Sequence, residues 1–436
     1  MAGNRIVNNA KWIILCRIVQ SIMQLIVGML SARYLGPSNY GIINYAASVV
    51  AFVIPIMQLG LQATLVQEFV EKPENEGKIL GTSLILELIS GFLCFISVIC
   101  FVLIVNRSQT VTVLVCVLYS ICIFFRALEL FQCWFQYRLK SKYPSIVMLV
   151  SYTIVSIYRI YLLITGKSVY WFAIVNSLDY GIIGISLFVI YKKKSSHKLS
   201  FSFNLAKSLL KRSRYYIVAS MMVTVFQNTD HIMLKMISGD AQNGYYTAAI
   251  TSAGVCLFVY TAIVDSMRPV ILSYKKDGNL AQYKKNISML YSIIIYLTLL
   301  QGLGFTIFAK LIIWILFGVE YMDSVSVLQI LVWYVTFNYI GSIRNIWLLA
   351  EGKQSILWKI NFAGAILNII LNSVLIPFFG ANGAAFASLV TQIFTNFIFG
   401  FIYKPIRENN ILLLKGLNPK FLFSMINKYI PSKNLK

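Results

Sequence analysis

YKKKSSHKLSFSFNLAKSLLKRSR, residues 191–214, stands almost at the midpoint of the 436-residue chain, and its reading decides the fold. It carries Lys192, Lys193, Lys194, Lys198, Lys207, Lys211, Arg212 and Arg214, with His197 among them and no Asp or Glu. On a soluble protein such a run points to nucleic acid, because clustered cations neutralise phosphates and release counterions. The long apolar stretches on both sides exclude that reading. The run is instead expected to be a cytoplasmic loop between membrane spans, kept inside by the positive-inside rule.

Composition supports the same class. Hydrophobic residues make up 58% of the chain, charged residues 12%, and the mean hydropathy is +0.74. A soluble domain is about 45–50% apolar and about 25% charged. The expectation is an all-α integral membrane protein, since open strands cannot satisfy their backbone in lipid. Apolar runs of about 20 residues each give about twelve spans, near residues 10–31, 41–60, 79–105, 111–131, 144–164, 169–191, 215–237, 245–266, 287–308, 325–350, 356–377 and 381–403. Residues 1–9 are polar and the stretch that follows contains Arg17, which is unlike a cleaved signal.

An even number of spans puts both termini on one side, and the charges choose the side. Of the 38 Lys and Arg residues, 30 fall on the face of the central run, five on the other and three (Arg17, Arg126, Arg159) within spans. Both termini are therefore expected in the cytoplasm, and most of the net charge of +23 is a topology signal in contact with anionic lipid rather than a polyanion site. The domain plan is an N-terminal lobe (1–191, spans 1–6), a basic connector (192–214), a C-terminal lobe (215–404, spans 7–12) and a basic tail (405–436). GIINYAA at 41–47 and GYYTAA at 244–249 open the second and eighth spans, a faint sign that the lobes repeat. The tail mixes cations with Ile411, Leu412, Leu413, Leu414 and Phe421, and reads as an interfacial helix or a loose basic segment.

Polar residues within spans are costly and usually face a protein interior or a wet cavity. Arg17, Gln20, Ser21, Gln24, Gly28 and Ser31 form one stripe along the first span, and Ser220, Thr224, Gln227, Asn228 and His231 another along the seventh, with Asp230 at its edge. Thr247, Thr251, Gly254, Thr261, Asp265 and Arg268 repeat the pattern in the eighth. Taken singly, Ser, Thr and Gly at this spacing mean only close helix packing. A stripe that includes Arg17 or Asp230 needs polar neighbours, as an aqueous cleft would supply. Arg126 and Glu129 are one turn apart and suited to neutralise each other, whereas Arg159 and Glu87 have no obvious local partner. The seven cysteines lie in apolar segments without a CxxC pair, and the two histidines, His197 and His231, make a metal site improbable. Neither a cofactor nor a catalytic constellation is expected, and the outside loops are short for an enzyme.

Several stretches resemble the Wzx-type polysaccharide repeat-unit flippases, in the polysaccharide transport branch of the multidrug/oligosaccharidyl-lipid/polysaccharide (MOP) exporter superfamily, which also holds the MATE transporters. They are RYLGPSNYG at 33–41, WFQYRLKSKY at 134–143, DHIML at 230–234 with GYYTAA at 244–249, LFGVEY at 316–321 and PFFGANGAA at 377–385. The family's glycine after the Gln of the second motif is replaced by Tyr137, and its acidic position is not preserved. The resemblance spans residues 8–403. It implies two six-helix lobes, a cleft lined by spans 1, 2, 7 and 8, alternating access, and transport of an undecaprenyl-diphosphate-linked oligosaccharide across a bacterial inner membrane for O-antigen, capsule or exopolysaccharide synthesis.

Within that frame Arg17 is expected to bind the diphosphate as a delocalised fork, with Arg268 as a second cation and Arg33 as a weaker candidate at the outer mouth. Gln20, Gln24, Gln227 and Asn228 would hydrogen-bond sugar hydroxyls. Asp230, Asp265 or Glu87 would take up a proton as the cleft changes face, coupling transport to an ion gradient. Expected partners are the polyprenyl-diphosphate-linked oligosaccharide, the lipid bilayer, and a polysaccharide polymerase with its chain-length regulator, with no nucleic acid. The rivals are a MATE-like drug or cation antiporter, a membrane polysaccharide polymerase or acyltransferase, and a channel.

Overall fold

A segment that is apolar over some 20 residues has one backbone solution in lipid, the helix, which satisfies its own N–H and C=O groups. In the computed structural model all regular structure among the described residues is accordingly helical. The structure describes residues 23–195, 197–419 and 421 with their side chains, and the backbone of the first helix from residue 2.

The chain divides into two compact units, Met1–Lys235 and Met236–Lys436. The first holds α1 (Ala2–Met57), α2 (Gln62–Glu71), α3 (Glu76–Val105), α4 (Thr110–Ser120), α5 (Cys122–Arg126), α6 (Leu130–Tyr137), α7 (Lys142–Ile164), α8 (Val169–Lys194) and most of α9 (Phe203–Ser238). The second holds the end of α9, then α10 (Asp240–Ala253), α11 (Leu257–Lys276), α12 (Leu280–Phe317), α13 (Ser324–Ala350), α14 (Leu357–Ile393), α15 (Phe399–Ile402) and α16 (Arg407–Leu417).

Nine stretches among the described residues are long and apolar enough to cross a bilayer. The difference from twelve has local causes. Met23–Glu71 and Gln354–Ile402 each contain two of the expected spans, divided at Gly36 (φ 70°) and Gly380 (φ 53°). These glycines supply a left-handed backbone that other residues rarely adopt, and Pro37 then restarts a helix whose N–H needs no partner. The Gly380 turn is closed from outside, where the Ala381 N–H donates to Gln242 Oε1 at 2.8 Å. Residues 215–237 are helical within α9, but Gln227, Asn228, Asp230 and His231 make that stretch too polar to qualify.

Side chains that would be a liability in water lie on the outer faces of the helices. On α12, Leu300, Leu303, Ile307, Phe308, Leu311 and Trp314 are all exposed, a lipid-facing band rather than an aggregation surface. Inside the first unit, α1, α3, α4, α7 and α8 close over Tyr45, Val49, Met57, Val98, Val115 and Val155, and a second core forms around Leu65, Phe69, Phe131, Trp134, Phe135 and Tyr191. Tyr45 is fully buried, so its hydroxyl needs a partner and finds Asn106 Oδ1 at 2.9 Å.

Neither basic segment is loose where it is described. The connector lies along the start of α3, where the Ser200 N–H donates to the Gly77 carbonyl at 3.3 Å and the Ser202 N–H to Thr82 Oγ1 at 3.0 Å. Side chains at Gly77 or Gly81 would run into the backbone of Lys198 or Ser200, so only glycine admits this approach. The second unit has a counterpart. Helix α16 packs on the start of α12, with Ser288 Oγ donating to the Leu412 carbonyl at 3.0 Å and the Tyr291 hydroxyl to Asn409 Oδ1 at 3.0 Å. In each expected six-span set the segment after the last span thus returns to the start of the third.

Candidate functional site

The fourth expected span is broken into three pieces, and its break carries charge. After α4 the chain turns at Ile121, forms α5, and tightens into a 3-10 turn at Ala127–Glu129 before α6. A 3-10 turn nearly eclipses residues three apart, so Arg126 and Glu129 meet, Nε to Oε2, at 3.2 Å. The expected pair therefore forms. The Arg126 guanidinium also lies 4.7 Å from the centre of the Tyr180 ring on α8, a cation–π contact that strengthens away from water.

Three further ionisable groups converge on this pair. Asp179, on α8, accepts a 2.7 Å hydrogen bond from Ser151 Oγ of α7 and interacts electrostatically with Arg159. Glu87, on α3, is fully buried and lies within the fields of Arg126 and Glu129. Neither of its carboxyl oxygens meets a hydrogen-bond partner among the described residues. The Cys133 thiol of α6 faces the same two carboxyls. Sequence reasoning paired Arg126 with Glu129 and noted Glu87 and Arg159, but it did not join them to Asp179, Ser151 and Tyr180. Five ionisable groups in four successive spans were the available signal.

At the start of α3 a second arrangement explains the aromatic and basic motif at 134–138. Glu76 is buried, accepts from Trp134 Nε1 at 2.7 Å and pairs with the Arg138 guanidinium. Glu68, also buried, pairs with Arg212 of the connector, which reaches Glu71 at 2.9 Å as well. One central basic residue is thus bound to this unit's acids. The second unit has a bracket of the same kind, where Glu351 follows α13 and accepts from Lys275 Nζ at 2.6 Å and the Tyr283 hydroxyl at 2.9 Å. Burial pushes the Glu351 carboxyl up, but the Lys275 and Tyr283 hydrogen bonds outweigh it and leave its pKa below the usual value.

Arg344, one of the 30 cations counted on the face of the central run, is buried in α13, only 4% exposed. It donates to the Thr395 carbonyl at 2.7 Å. That carbonyl lies in a π-helical turn, Phe394–Ile398, and such turns loosen the regular ladder.

The expected binding residues divide as follows. Arg17 and Gln20 lie outside the residues whose side chains are described. Gln24 and Arg33 are exposed on α1, Arg33 one turn before the Gly36 break. Gln227 is exposed on α9, while Asn228 is half-buried with its amide donating to the Thr224 carbonyl at 3.0 Å. Asp230 is buried at the same helix's far end. Asp265 and Arg268 are both exposed and pair with each other at 3.2 Å. No hydrogen bond among the described residues joins Gln24 to Gln227 or Asn228. Glu87 alone of the expected site residues with described side chains enters the charged cluster.

Two solved structures share the fold. An inward-facing multidrug resistance MATE family transporter of the MOP superfamily superposes with a TM-score of 0.72 at 13% identity, covering 93% of this chain and all of that one. Lipid II flippase MurJ, inward closed, gives a TM-score of 0.68 at 16% identity, covering 95% of this chain and 92% of that one. At these identities the likeness is one of fold. Among relatives, an uncharacterized membrane protein of Methanocaldococcus jannaschii is 28% identical over 309 residues, 67% of this chain and 58% of that protein. A probable low-salt glycan biosynthesis flippase of Haloferax volcanii is 24% identical over 219 residues, 50% of this chain and 46% of that protein. The chain thus spans roughly half the length of these curated relatives. The family model described as polysaccharide biosynthesis protein matches residues 6–275, well over half of the chain, and bears out the resemblance carried by the motifs. This multi-pass membrane protein, with its MATE-like and MurJ-like helical fold, belongs to the polysaccharide biosynthesis protein family.

Proposed function

We propose that the protein is a flippase that moves undecaprenyl-diphosphate-linked oligosaccharide repeat units from the inner to the outer leaflet of a bacterial inner membrane, supplying O-antigen, capsule or exopolysaccharide synthesis. It works by alternating access of the lobes 1–191 and 215–404, with both termini cytoplasmic, and draws on an ion gradient. Its product passes to a polysaccharide polymerase with its chain-length regulator.

The observation that carries this reading is the match to the polysaccharide biosynthesis family in a chain whose membrane-spanning unit encloses a charged cluster. Hydrocarbon-facing helices have no use for guanidinium and carboxyl groups, whereas a protein that carries a charged head group does. The fold shared with a lipid II flippase supports the substrate class. Arg17 binds the diphosphate, Arg268 and Arg33 assist at the mouths, and Gln20, Gln24, Gln227 and Asn228 meet the sugar. Asp230, Asp265 and Glu87 are the ion-coupling candidates. The 3.2 Å pair between Arg268 and Asp265 means that each screens the other until substrate or ion separates them.

The drug or cation antiporter draws support from the three carboxyls of the cluster, Glu87, Glu129 and Asp179. Two of them are already engaged, Glu129 by Arg126 and Asp179 by Ser151, which leaves no acidic pocket for an organic cation among the described residues of the cluster. Arg17 provides the test. Export of surface polysaccharide falls at least tenfold in Arg17→Ala that still inserts in the membrane, and Arg17→Lys restores part of it. Full export in Arg17→Ala removes this residue from the mechanism.

A further inference from the structure

Among its described residues, the cluster inside the first unit has an unequal charge count. Glu87 and Glu129 share the field of Arg126, and Asp179 that of Arg159, so three carboxyls meet two guanidiniums. A surplus charge in a membrane interior costs several kcal/mol or more, and the cheapest remedy is one bound proton. The surroundings choose its place. Glu129 is held by Arg126 at 3.2 Å and Asp179 by Ser151 at 2.7 Å, each contact favouring an anion. Glu87 is fully buried, and both of its oxygens lack a hydrogen-bond partner among the described residues.

Among the described residues, the neighbours of Glu87 offer it no cation of its own. Helix α3 packs against α1, α2, α4, α5, α6 and the Pro73–Asn75 and Ala127–Glu129 turns. Of the described charged groups on these elements, Glu129 and Arg126 act on Glu87, and Cys133 of α6 faces it. The acids of α2, Glu68 and Glu71, are committed to Arg212. Ser83 lies one turn nearer the Glu76 end of α3, and its hydroxyl is likewise buried without a partner among the described residues. Residues four apart on a helix share a face, so Ser83 is placed to pass a proton between Glu87 and that end.

We propose that Glu87 is a proton-binding site, holding the one proton that neutralises the interior charge set of the first unit, with Ser83 as its relay. In the closed, dry state Glu87 is a neutral acid. When water reaches the cluster its O–H bond breaks, the proton leaves by way of Ser83 or water, and the carboxylate that remains competes with Glu129 for Arg126. The assignment as a coupling site rests on the flippase reading, whereas the bound proton itself does not.

Two measurements on the full-length protein in phospholipid vesicles separate these claims. The first is the infrared difference spectrum between acid and alkaline buffers. Wild type shows the carbonyl band of a protonated carboxyl without hydrogen bonds, Glu87→Gln loses it, and Glu129→Gln, which removes the surplus carboxyl and frees Arg126, makes it disappear at a lower pH than in wild type. Glu87→Gln is isosteric, and an unchanged elution profile and helix content establish its folding, while Glu87→Asp moves the band without abolishing it. The second is the leaflet distribution of a tagged polyprenyl-diphosphate oligosaccharide under an imposed gradient. One pH unit shifts the wild-type ratio by up to about tenfold, as one proton per cycle allows, and Glu87→Gln removes the shift. Persistence of the band in Glu87→Gln overturns the site, and a ratio that follows sodium and ignores pH overturns its coupling role. A band that behaves as expected while no lipid moves upholds the proton site and defeats the flippase reading.

Discussion

Removing Arg138 tests the account of the first unit's acidic start. Glu76 has a side chain only 1% exposed, and its charge is held by the Trp134 indole at 2.7 Å and by Arg138, itself 42% exposed. Taking one partner from a fully buried ion pair costs about 3–5 kcal/mol. Water already reaches nearly half of the guanidinium, and exposed pairs contribute about 1 kcal/mol or less. Arg138→Ala is therefore expected near the middle, at about 2 kcal/mol. For a unit of about 200 residues this corresponds to a fall in apparent melting temperature of roughly 4–8 °C. The assay is thermal unfolding of monodisperse protein in one detergent at one scan rate, because membrane proteins of this size unfold irreversibly. Glu76→Gln in the Arg138→Ala background recovers about half of the loss, since the neutral amide still accepts from Trp134 and strands no charge. Arg138→Lys restores the charge but loses the planar stack beside Trp134 and Tyr137. An unchanged melting temperature in Arg138→Ala, or a double variant less stable than the single one, would refute this reasoning.

The remaining predictions concern the second bracket and the docked connector. Glu351 has a folded pKa below its unfolded value of about 4.3, so its contribution is present above that pH and is lost as pH falls through the folded value. Acid unfolding curves of Glu351→Gln are expected to be flatter than wild type in that range and offset from it at neutral pH. Gly81→Val drives a side chain into the Ser200 backbone, where even a Cβ would stand 2.7 Å from the amide nitrogen. At the usual overpacking cost of about 1–3 kcal/mol, opening of the connector rises from several-fold to about a hundredfold, which limited proteolysis at residues 197–203 reads directly.

The helical fold was legible because lipid leaves few alternatives. Gly36 with Pro37, and Gly380 inside the PFFGANG turn, marked their breaks by residue type alone. The Arg126–Glu129 pair was legible from spacing, since it depends on one local turn. What joined it to Asp179, Ser151 and Tyr180 was not, because the facing of α7 and α8 is set by packing and no pattern within either helix specifies it. The Glu76 pairing spans about 60 residues of sequence, and Gly77 and Gly81 looked like any small residues of a membrane helix until the connector was found against them. The burial of Arg344 was illegible for a related reason. Its burial depends on a carbonyl freed by the Phe394–Ile398 turn, which has no signature in the sequence. The stripe centred on Arg17 was the strongest binding signal in the sequence, and Arg17 and Gln20 lie outside the described side chains.

The central claim is that a lipid-linked oligosaccharide crosses the membrane through this protein. The direct measurement is the loss of a fluorescent polyprenyl-diphosphate oligosaccharide from the outer leaflet of vesicles containing the purified full chain, followed with a membrane-impermeant quencher. The account predicts movement well above that of protein-free vesicles, accelerated by a proton gradient and reduced at least tenfold in Arg17→Ala. Movement equal to protein-free vesicles, in protein that retains its fold, would contradict it, as would efflux of organic cations from the same vesicles with no movement of the lipid.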